Sequence, residues 1–317
     1  MLRILVLLVV WMSGSQWCLG EPTDAPWTAA IFSADGRTVF AGSQDGVTEF
    51  DWPQLTPRRS FAVPVENIHD LLLTADQSTL LIAGGTPSES GCVVELHLTT
   101  GRSQTLDIGE DVVLRVQLTN GEKQLIAATA QSVCYVLDRE TRRIEQQFGG
   151  HSGVVLALQR ISDSLVVSAG TDQTLQLWNP VDGRPQRTMN NHVAAVNDLV
   201  TLMTARGTTG MPNTTDAPLL LASTGDDRTV RLWYPETGRM LRFVKLPYVA
   251  RSLAFSVDGT RISAGCDDGT VRILDVANLR LLAETQTPCG RIYVLARHPS
   301  SDDLLVAGQK GLTRLQP

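Results

Sequence analysis

The side chains of this sequence that could carry out acid–base, nucleophilic or metal chemistry are few, and they do not fall into a known catalytic motif. The 317 residues include five histidines and five cysteines. The chain contains no H-E-x-x-H, C-x-x-C, C-x-x-C-H or G-x-S-x-G sequence, and no glycine-rich phosphate loop followed by lysine. Motifs therefore give no support to a zinc hydrolase, a cytochrome, a serine hydrolase or a nucleotide-binding enzyme.

Two of the histidines open segments that align with each other along their whole length. The segment from His151 continues through SLVVSAGTDQTLQLWNPVDGR, and the segment from His192 continues through LLLASTGDDRTVRLWYPETGR. A third copy, LAFSVDGTRISAGCDDGTVRILDVANLR, begins at residue 253, and weaker copies begin at 31, 71, 116 and 295. Seven units with a period of roughly 40 residues predict a repeat architecture.

Within each unit the apolar pattern predicts four short antiparallel strands. The fifth unit shows it clearly, with an apolar run at 219–223, an alternating run at 229–233 and a further strand at 240–244. Turn residues separate the runs, as in the tight Asp-containing turn before 229. One such sheet cannot cover both of its own faces, so neighbouring units must do it. We therefore predict an all-β, seven-bladed β-propeller forming one domain at residues 27–317.

These repeats resemble the WD40 family, and the resemblance covers residues 27–317. In that family a histidine, a serine, an aspartate and a tryptophan form a hydrogen-bonded set that fixes a blade. Two complete sets match here, and in both the serine lies four residues before the aspartate and the aspartate six before the tryptophan. The resemblance implies a structural role for these residues, because a buried imidazole and carboxylate need partners. They are His151, Ser168, Asp172 and Trp178, and His192, Ser223, Asp227 and Trp233.

Other units depart from the pattern, and ring closure is the least defined feature. Leu137 and Leu274 stand where the third and sixth units should have tryptophan, so those blades should depend more on apolar packing. The last unit stops after its third strand. We expect either a three-stranded last blade or a very short fourth strand from residues 21–26, where Pro22 and Pro26 make a poor ladder partner. A six-bladed ring with an extra partial unit is the alternative.

Residues 1–20 have the composition of a secretory signal peptide. One basic residue precedes a nine-residue apolar run at 4–12, and small and polar residues follow. Cleavage after Gly20 or after Ser15 fits the pattern. The run is too short to span a bilayer, so we expect no stable membrane insertion after cleavage, although a retained anchor or acylation at Cys18 are alternatives. The protein is therefore predicted to be exported, to a periplasmic or extracellular location.

The cysteines and one long loop suggest features that an exported protein can have. Cys266 ends one predicted second strand and Cys289 begins the next unit, so one interpretation is a disulfide between them on one face. Cys134 occupies an inward-facing position and is most simply a small buried side chain. A polar insertion at 203–218 carries a glycosylation sequon at Asn213.

Charge and repeat position together indicate the class of partner. The formal charge is −6 without a basic stripe, which argues against nucleic acid. The WD40 resemblance implies a scaffold that binds a protein or peptide, without cofactor or metal, on the face carrying the tight turns. An alternative is a propeller enzyme with a site at the channel mouth, such as a lactonase-like hydrolase or a cofactor-dependent dehydrogenase, and a third is a structural subunit of an envelope assembly. The implied contact residues are Gln44, Ala130, Thr171, Asp226, Asp267 and Gln309 at the turns, and His69, Arg251 and Tyr293 on the first strands.

Overall fold

The computed structural model of the protein describes residues 25–203 and 219–317. The predicted leader at 1–20, both cleavage sites, Cys18 and the sequon at Asn213 lie outside the described residues. All regular elements in the described part of the chain are β-strands.

Twenty-seven strands form seven antiparallel sheets in this part of the chain, six with four strands and one with three. In each sheet the strands lie side by side in chain order, so we call each sheet a blade and number the blades along the chain. Blade 1 contains β1 (Ala29–Phe32), β2 (Thr38–Ser43), β3 (Gly46–Asp51) and β4 (Thr56–Phe61). Blade 2 contains β5 (Asn67–Leu73), β6 (Thr79–Thr86), β7 (Ser90–His97) and β8 (Ser103–Gly109). Blade 3 contains β9 (Val113–Thr119), β10 (Gln124–Thr129), β11 (Cys134–Asp138) and β12 (Ile144–Phe148). Blade 4 contains β13 (Val155–Ser162), β14 (Leu165–Gly170), β15 (Leu175–Trp178) and β16 (Pro185–Met189). Blade 5 contains β17 (Val196–Met203), β18 (Leu219–Gly225), β19 (Thr229–Tyr234) and β20 (Arg239–Lys245). Blade 6 contains β21 (Ala250–Phe255), β22 (Arg261–Cys266), β23 (Thr270–Asp275) and β24 (Leu281–Gln286). Blade 7 contains β25 (Ile292–Arg297), β26 (Leu304–Gly308) and β27 (Gly311–Leu315).

The first strand of each blade, which we call its inner strand, packs against the inner strand of the next blade. The series closes because β25 of blade 7 packs against β1 of blade 1. The seven inner strands therefore surround a central axis, and each blade covers the faces of its neighbours. The predicted seven-bladed propeller with a three-stranded last blade is confirmed.

Burial decreases from the middle of each blade to its outer strand, and this explains the sequence pattern. The second strand of blade 5, β18, is buried at all seven positions, whereas the outer strand β24 of blade 6 is mostly exposed. A strand covered on both faces has a continuous apolar sequence rather than an alternating one. The core between blades 5 and 6 shows the packing, with Leu220 and Leu232 from one blade against Ile262 from the other.

The turns between first and second strands are tied to one another around one face of the ring. In blade 6, Asp258 accepts hydrogen bonds from Ser256 Oγ (2.6 Å) and from the N–H of Thr260 (3.0 Å), and Gly259 has φ +69°, a conformation that favours glycine. Four other hydrogen bonds join neighbouring blades. In each of them a side chain of one turn accepts a backbone N–H from the equivalent turn of the preceding blade. The pairs are Gln77 with Ala34 (2.7 Å), Glu122 with Ala75 (2.7 Å), Asp163 with Asn120 (3.0 Å) and Asp302 with Val257 (2.7 Å).

Blades 7 and 1 meet through aromatic packing and two hydrogen bonds. The Phe32 ring stands edge-on to Trp52 at 4.8 Å, and the His298 ring stacks beside Trp52 at 6.2 Å. His298 Nε2 donates to the carbonyl of Gly36 (3.2 Å), and the N–H of Trp27 donates to the carbonyl of Gly308 (3.2 Å). The ring is therefore closed by packing between complete strands and not by exchange of a strand among the described residues.

The disulfide proposed between Cys266 and Cys289 is wrong: both thiols are free in the structure. Cys266 packs in the core that blade 6 shares with blade 5, and Cys289 packs in the core that blade 6 shares with blade 7. The sheet of blade 6 therefore separates the two sulfur atoms. Burial raises the pKa of Cys266 to about 11, so this thiol stays protonated and unreactive.

Candidate functional site

The two complete His–Ser–Asp–Trp sets each form a continuous chain of hydrogen bonds within one blade. In blade 5, Trp233 Nε1 donates to Ser223 Oγ (2.8 Å), and this oxygen lies 2.8 Å from His192 Nε2. His192 Nδ1 lies 2.8 Å from Asp227 Oδ2. The chain links the second strand, the third strand and the loop that enters the blade.

Blade 4 repeats this geometry with only small differences. Trp178 Nε1 donates to Ser168 Oγ at 3.1 Å, and the two distances made by the His151 ring are both 2.8 Å. Asp172 also accepts the N–H groups of Ser152 and Thr174. The carboxylate thus fixes both the tight turn and the entry loop.

Electrostatics favour a neutral imidazole beside an ionised carboxylate in both sets. Burial lowers the pKa of His192, although Asp227 acts in the opposite direction. Burial also acts to raise the pKa of Asp227, but hydrogen bonds from Thr229 and the neighbouring His192 outweigh it and lower the pKa to about 2. The serine hydroxyl in each set is fully buried and already bonded on both sides. Neither serine is placed to act as a nucleophile.

Blade 6 uses an arginine where the histidine is missing, a substitution that the sequence analysis did not identify. Arg272 Nη1 and Nη2 contact the two oxygens of Asp268 at 3.1 and 2.8 Å. The guanidinium also lies under the ring of Tyr248, 5.5 Å from its centre. Leu274 occupies the tryptophan position of blade 6 and has no polar group. It therefore needs no hydrogen-bond partner like the serine that accepts from tryptophan in blades 4 and 5. The signal was present in the sequence, since Asp268 and Arg272 are four residues apart, as are Asp227 and Arg231.

The residues predicted at the tight turns occupy equivalent places in five blades. Each one directly follows the second strand and donates its backbone N–H to a carbonyl just before the inner strand. Antiparallel order puts these turns at the end of the propeller opposite the first-to-second-strand turns. We call this end the tight-turn face. The bonds join Ala130 to Val112 (3.1 Å), Thr171 to Val154 (2.9 Å), Asp226 to Ala195 (2.8 Å), Asp267 to Val249 (2.9 Å) and Gln309 to Arg291 (2.9 Å).

The structure brings three of the predicted contact residues into one charged network on blades 5 and 6. Arg251 binds both oxygens of Asp267 at 3.0 Å each, and its Nη1 contacts Asp226 Oδ1 at 2.9 Å. Asn197 completes the network, because its amide oxygen accepts from Arg251 (3.2 Å) and its nitrogen donates to Asp226 (2.9 Å). Arg291 approaches Asp267 from blade 7 at 3.4 Å. The side chain of Asp226 remains 42% exposed, so the network is part of the surface.

Sequence reasoning missed four residues in this part of the tight-turn face, which are Asn197, Arg291, Val193 and Tyr248. Val193 is 74% exposed and Tyr248 is 50% exposed, and both lie in loops that connect blades on the tight-turn face. Asn197 occupies the inner-strand position equivalent to Arg251, since each is the residue that the register shift of its strand skips. The repeat alignment that selected Arg251 would have selected Asn197 as well.

The remaining predicted contacts lie elsewhere around the same face. Gln44 is exposed directly after β2, and Tyr293 is half-buried on β25. His69 lies deeper: its carbonyl accepts from Arg115 Nη1 (3.2 Å), and its Nε2 is buried without a hydrogen-bond partner. Burial and the nearby Arg115 lower the pKa of His69 to about 4, so the ring is neutral. The three residues do not belong to the network around Arg251.

The described residues contain neither a metal-ligand cluster nor a membrane-spanning helix. Over 25–203 and 219–317, no group of three or more His, Cys, Asp or Glu side chains is placed to hold a metal ion. No helix in these ranges is long and apolar enough to cross a membrane.

Comparison with known proteins gives a family match over three of the repeats and a set of distant relatives. The model described as "WD domain, G-beta repeat" matches residues 142–179, 183–234 and 247–275. The chain is similar to apoptotic protease-activating factor 1 of Rattus norvegicus, with 28% identity over 61% of this chain and 15% of that protein. It is similar to eukaryotic translation initiation factor 3 subunit I of Debaryomyces hansenii, with 25% identity over 46% of this chain and 42% of the relative. It is also similar to pre-mRNA-splicing factor cwf17 of Schizosaccharomyces pombe, with 28% identity over 41% of this chain and 35% of the relative. The chain thus spans less than half the length of each of these relatives.

Proposed function

Since the chain belongs to the WD40-repeat family of β-propellers, we propose that it is a non-enzymatic scaffold that binds a protein or peptide on its tight-turn face. The observation that carries the proposal is the surface network of Arg251, Asp226 and Asp267, flanked by exposed Val193 and Tyr248. Fixed charges beside exposed apolar side chains are the composition of protein interfaces, in which aromatic residues and arginine are enriched.

Two features support a protein partner over a nucleic acid. The guanidinium of Arg251 is already held by two carboxylates, so it is not free to neutralise phosphates. The formal charge of the chain is −6, whereas proteins that bind nucleic acid through the backbone need a cluster of free cations. The names of the relatives support the same class in outline, since one of them is a subunit of a translation initiation factor.

We also propose that the scaffold works outside the cytoplasm, in the periplasm or the extracellular space. The support is the pattern at residues 1–20, where a short apolar run follows one basic residue and precedes small residues. Mass spectrometry of the protein purified from its native host tests this. We expect a mature N-terminus at Glu21 or Gln16, and an intact residue 1 would contradict the proposal.

The binding proposal is tested by crosslinking in the native compartment and quantifying the captured partner for matched variants. Arg251→Ala combined with Tyr248→Ser removes the centre of the network and its exposed aromatic neighbour. Arg184→Ala is the control, because Arg184 is also an exposed arginine but lies in a turn between third and fourth strands, at the opposite end of the propeller. Capture should fall at least about tenfold for the first variant, since truncation of a tyrosine or arginine that acts as an interface hot spot costs about 2 kcal/mol or more.

The crosslinking comparison can also contradict binding at the tight-turn face. Both variants must keep the wild-type thermal transition, so that unfolding does not imitate loss of binding. Equal capture by the two variants, or loss with Arg184→Ala alone, would show that the tight-turn face is not the binding surface.

A further inference from the structure

The inner strands place seven equivalent residues at one level around the propeller axis. In six blades this residue is the first one after a register shift that skips one position of the inner strand. Three of the seven are charged, and the other four are neutral. In blade order they are Ala30, Asp70, Arg115, Ala157, Asp198, Ser252 and Val294.

Three members of this axial ring act as latches between neighbouring blades. Each provides an oxygen atom that accepts a backbone N–H from the inner strand of the next blade. The bonds run from Val116 to Asp70 Oδ2 (2.9 Å), from Leu253 to Asp198 Oδ2 (2.8 Å) and from Leu295 to Ser252 Oγ (3.1 Å). Ser252 makes the same contact between blades 6 and 7 with a neutral hydroxyl. A hydrogen bond between neighbouring blades at this level therefore does not require a negative charge such as that of Asp70.

The charged and titratable groups that face Asp70 at this level come from three inner strands, β5, β9 and β17. Arg115 comes from the next blade, Asp198 from across the axis, and His69 precedes Asp70 on its own strand. His69 is neutral, so among these groups the positive charge that acts on both Asp70 and Asp198 is that of Arg115. Arg115 also donates to the carbonyls of His69 and Leu114, which holds it in place. The other four ring positions contribute alanine, serine or valine, which carry no charge.

Asp70 is therefore a carboxylate that takes up a proton more readily than a solvent-exposed one. Burial raises its pKa to about 6, and the nearby Asp198 acts in the same direction, while Arg115 and two backbone N–H groups oppose them. Burial also raises the pKa of Asp198. A carboxylate that gains a proton keeps an acceptor oxygen, but its hydrogen bond loses the charge assistance that makes such bonds roughly twice as strong.

We propose that Asp70 is a pH-sensitive latch between blades 2 and 3: in mildly acidic solution it takes up one proton, which removes the excess negative charge of the axial ring and weakens the hydrogen bond from Val116. The proton comes from solvent and stays on a carboxylate oxygen. This pH response lies between blades 2 and 3, next to His69. It goes beyond the proposed function, because it does not depend on which partner binds.

Nuclear magnetic resonance tests the latch at both ends. In the wild-type protein we expect the Cγ shift of Asp70 to titrate with a midpoint near pH 6. The amide of Val116, corrected for intrinsic exchange, should lose about fivefold or more of its protection between about pH 7 and about pH 5, because its acceptor becomes neutral. The amide of Leu295, latched by the hydroxyl of Ser252, is the internal control and should keep its protection.

Asp70→Ser is the matched variant, because it copies the latch of blade 6. It should fold and should make the protection of Val116 as independent of pH as that of Leu295. Arg115→Gln supplies a second measurement, since loss of the guanidinium should move the midpoint of Asp70 upward. A midpoint of Asp70 below about 4.5 would place the residue in the normal range for a carboxyl and overturn the proposal. An equal loss of protection at Leu295, or a pH response that persists in Asp70→Ser, would also overturn it.

Discussion

Replacing Ser223 with alanine removes the atom at which the hydrogen-bonded set of blade 5 is joined. Ser223 Oγ accepts from Trp233 Nε1 and lies against His192 Nε2, both at 2.8 Å. Trp233 is fully buried and His192 is 3% exposed, so water cannot replace the hydroxyl. Each buried polar group left without a partner costs about 1–3 kcal/mol. Because Trp233 Nε1 and His192 Nε2 both lose their partner, the free energy of unfolding should fall by about 2–6 kcal/mol.

Equilibrium urea denaturation at neutral pH measures this change. Ser263→Ala is the control, because Ser263 is also buried on a second strand but lies in blade 6, where leucine replaces the tryptophan and no histidine enters the blade. The control should lose less than about 1.5 kcal/mol, the net value of one ordinary hydrogen bond. A loss in Ser223→Ala no larger than in the control would refute the argument that the set stabilises the blade through its shared oxygen.

His192, Arg272 and the buried cysteines should each respond measurably to a change of pH, side chain or reagent. Because the pKa of His192 is lowered in the fold, the unfolded chain binds the extra proton, so the stability contributed by this residue is present above pH 6.5 and is lost as the pH falls below it. His192→Gln should therefore reduce the pH dependence of unfolding below pH 6.5, and an unchanged profile would contradict this. Arg272→Lys should lower stability by about 1–2 kcal/mol in urea denaturation, since the ammonium of lysine cannot reproduce the two parallel hydrogen bonds that the guanidinium makes to Asp268. A value equal to that of Arg228→Lys, an exposed arginine of the neighbouring blade, would contradict this. Cys92, Cys134, Cys266 and Cys289 should react with a thiol reagent only after unfolding, and reducing agent should leave the thermal transition unchanged; a shift of the transition on reduction would show that a disulfide exists.

Repetition is what made the fold predictable from the sequence. A single apolar run can belong to several folds, but seven units with the same order of runs and turns restrict the chain to sheets that cover one another. The two complete sets could be selected for the same reason: Ser168 and Ser223 stand at the same distance from aspartate and tryptophan in two separate blades. The short seventh blade followed from the position of the last apolar run, Gly311–Leu315.

Side-chain direction and contacts between distant blades could not be read from the same pattern. The sequence puts Cys266 at the end of a second strand and Cys289 at the start of the next unit, which favours one face for both, but the sheet of blade 6 lies between them and they face different cores. In the charged network, Arg251 contacts Asn197, which lies 54 positions earlier in the sequence. The axial latches depend on register shifts, which change the direction of a side chain without any change in composition.

The central functional claim is that a partner binds the tight-turn face, and site-specific photocrosslinking tests it most directly. A photoreactive residue would be placed singly at Gln44, Ala130, Thr171 or Gln309 on this face, and at Asp35, Asp76, Val181 or Val257 on the opposite one. We expect adducts to one partner protein from the first four positions and none from the second four. Adducts confined to Asp35, Asp76, Val181 and Val257 would contradict it.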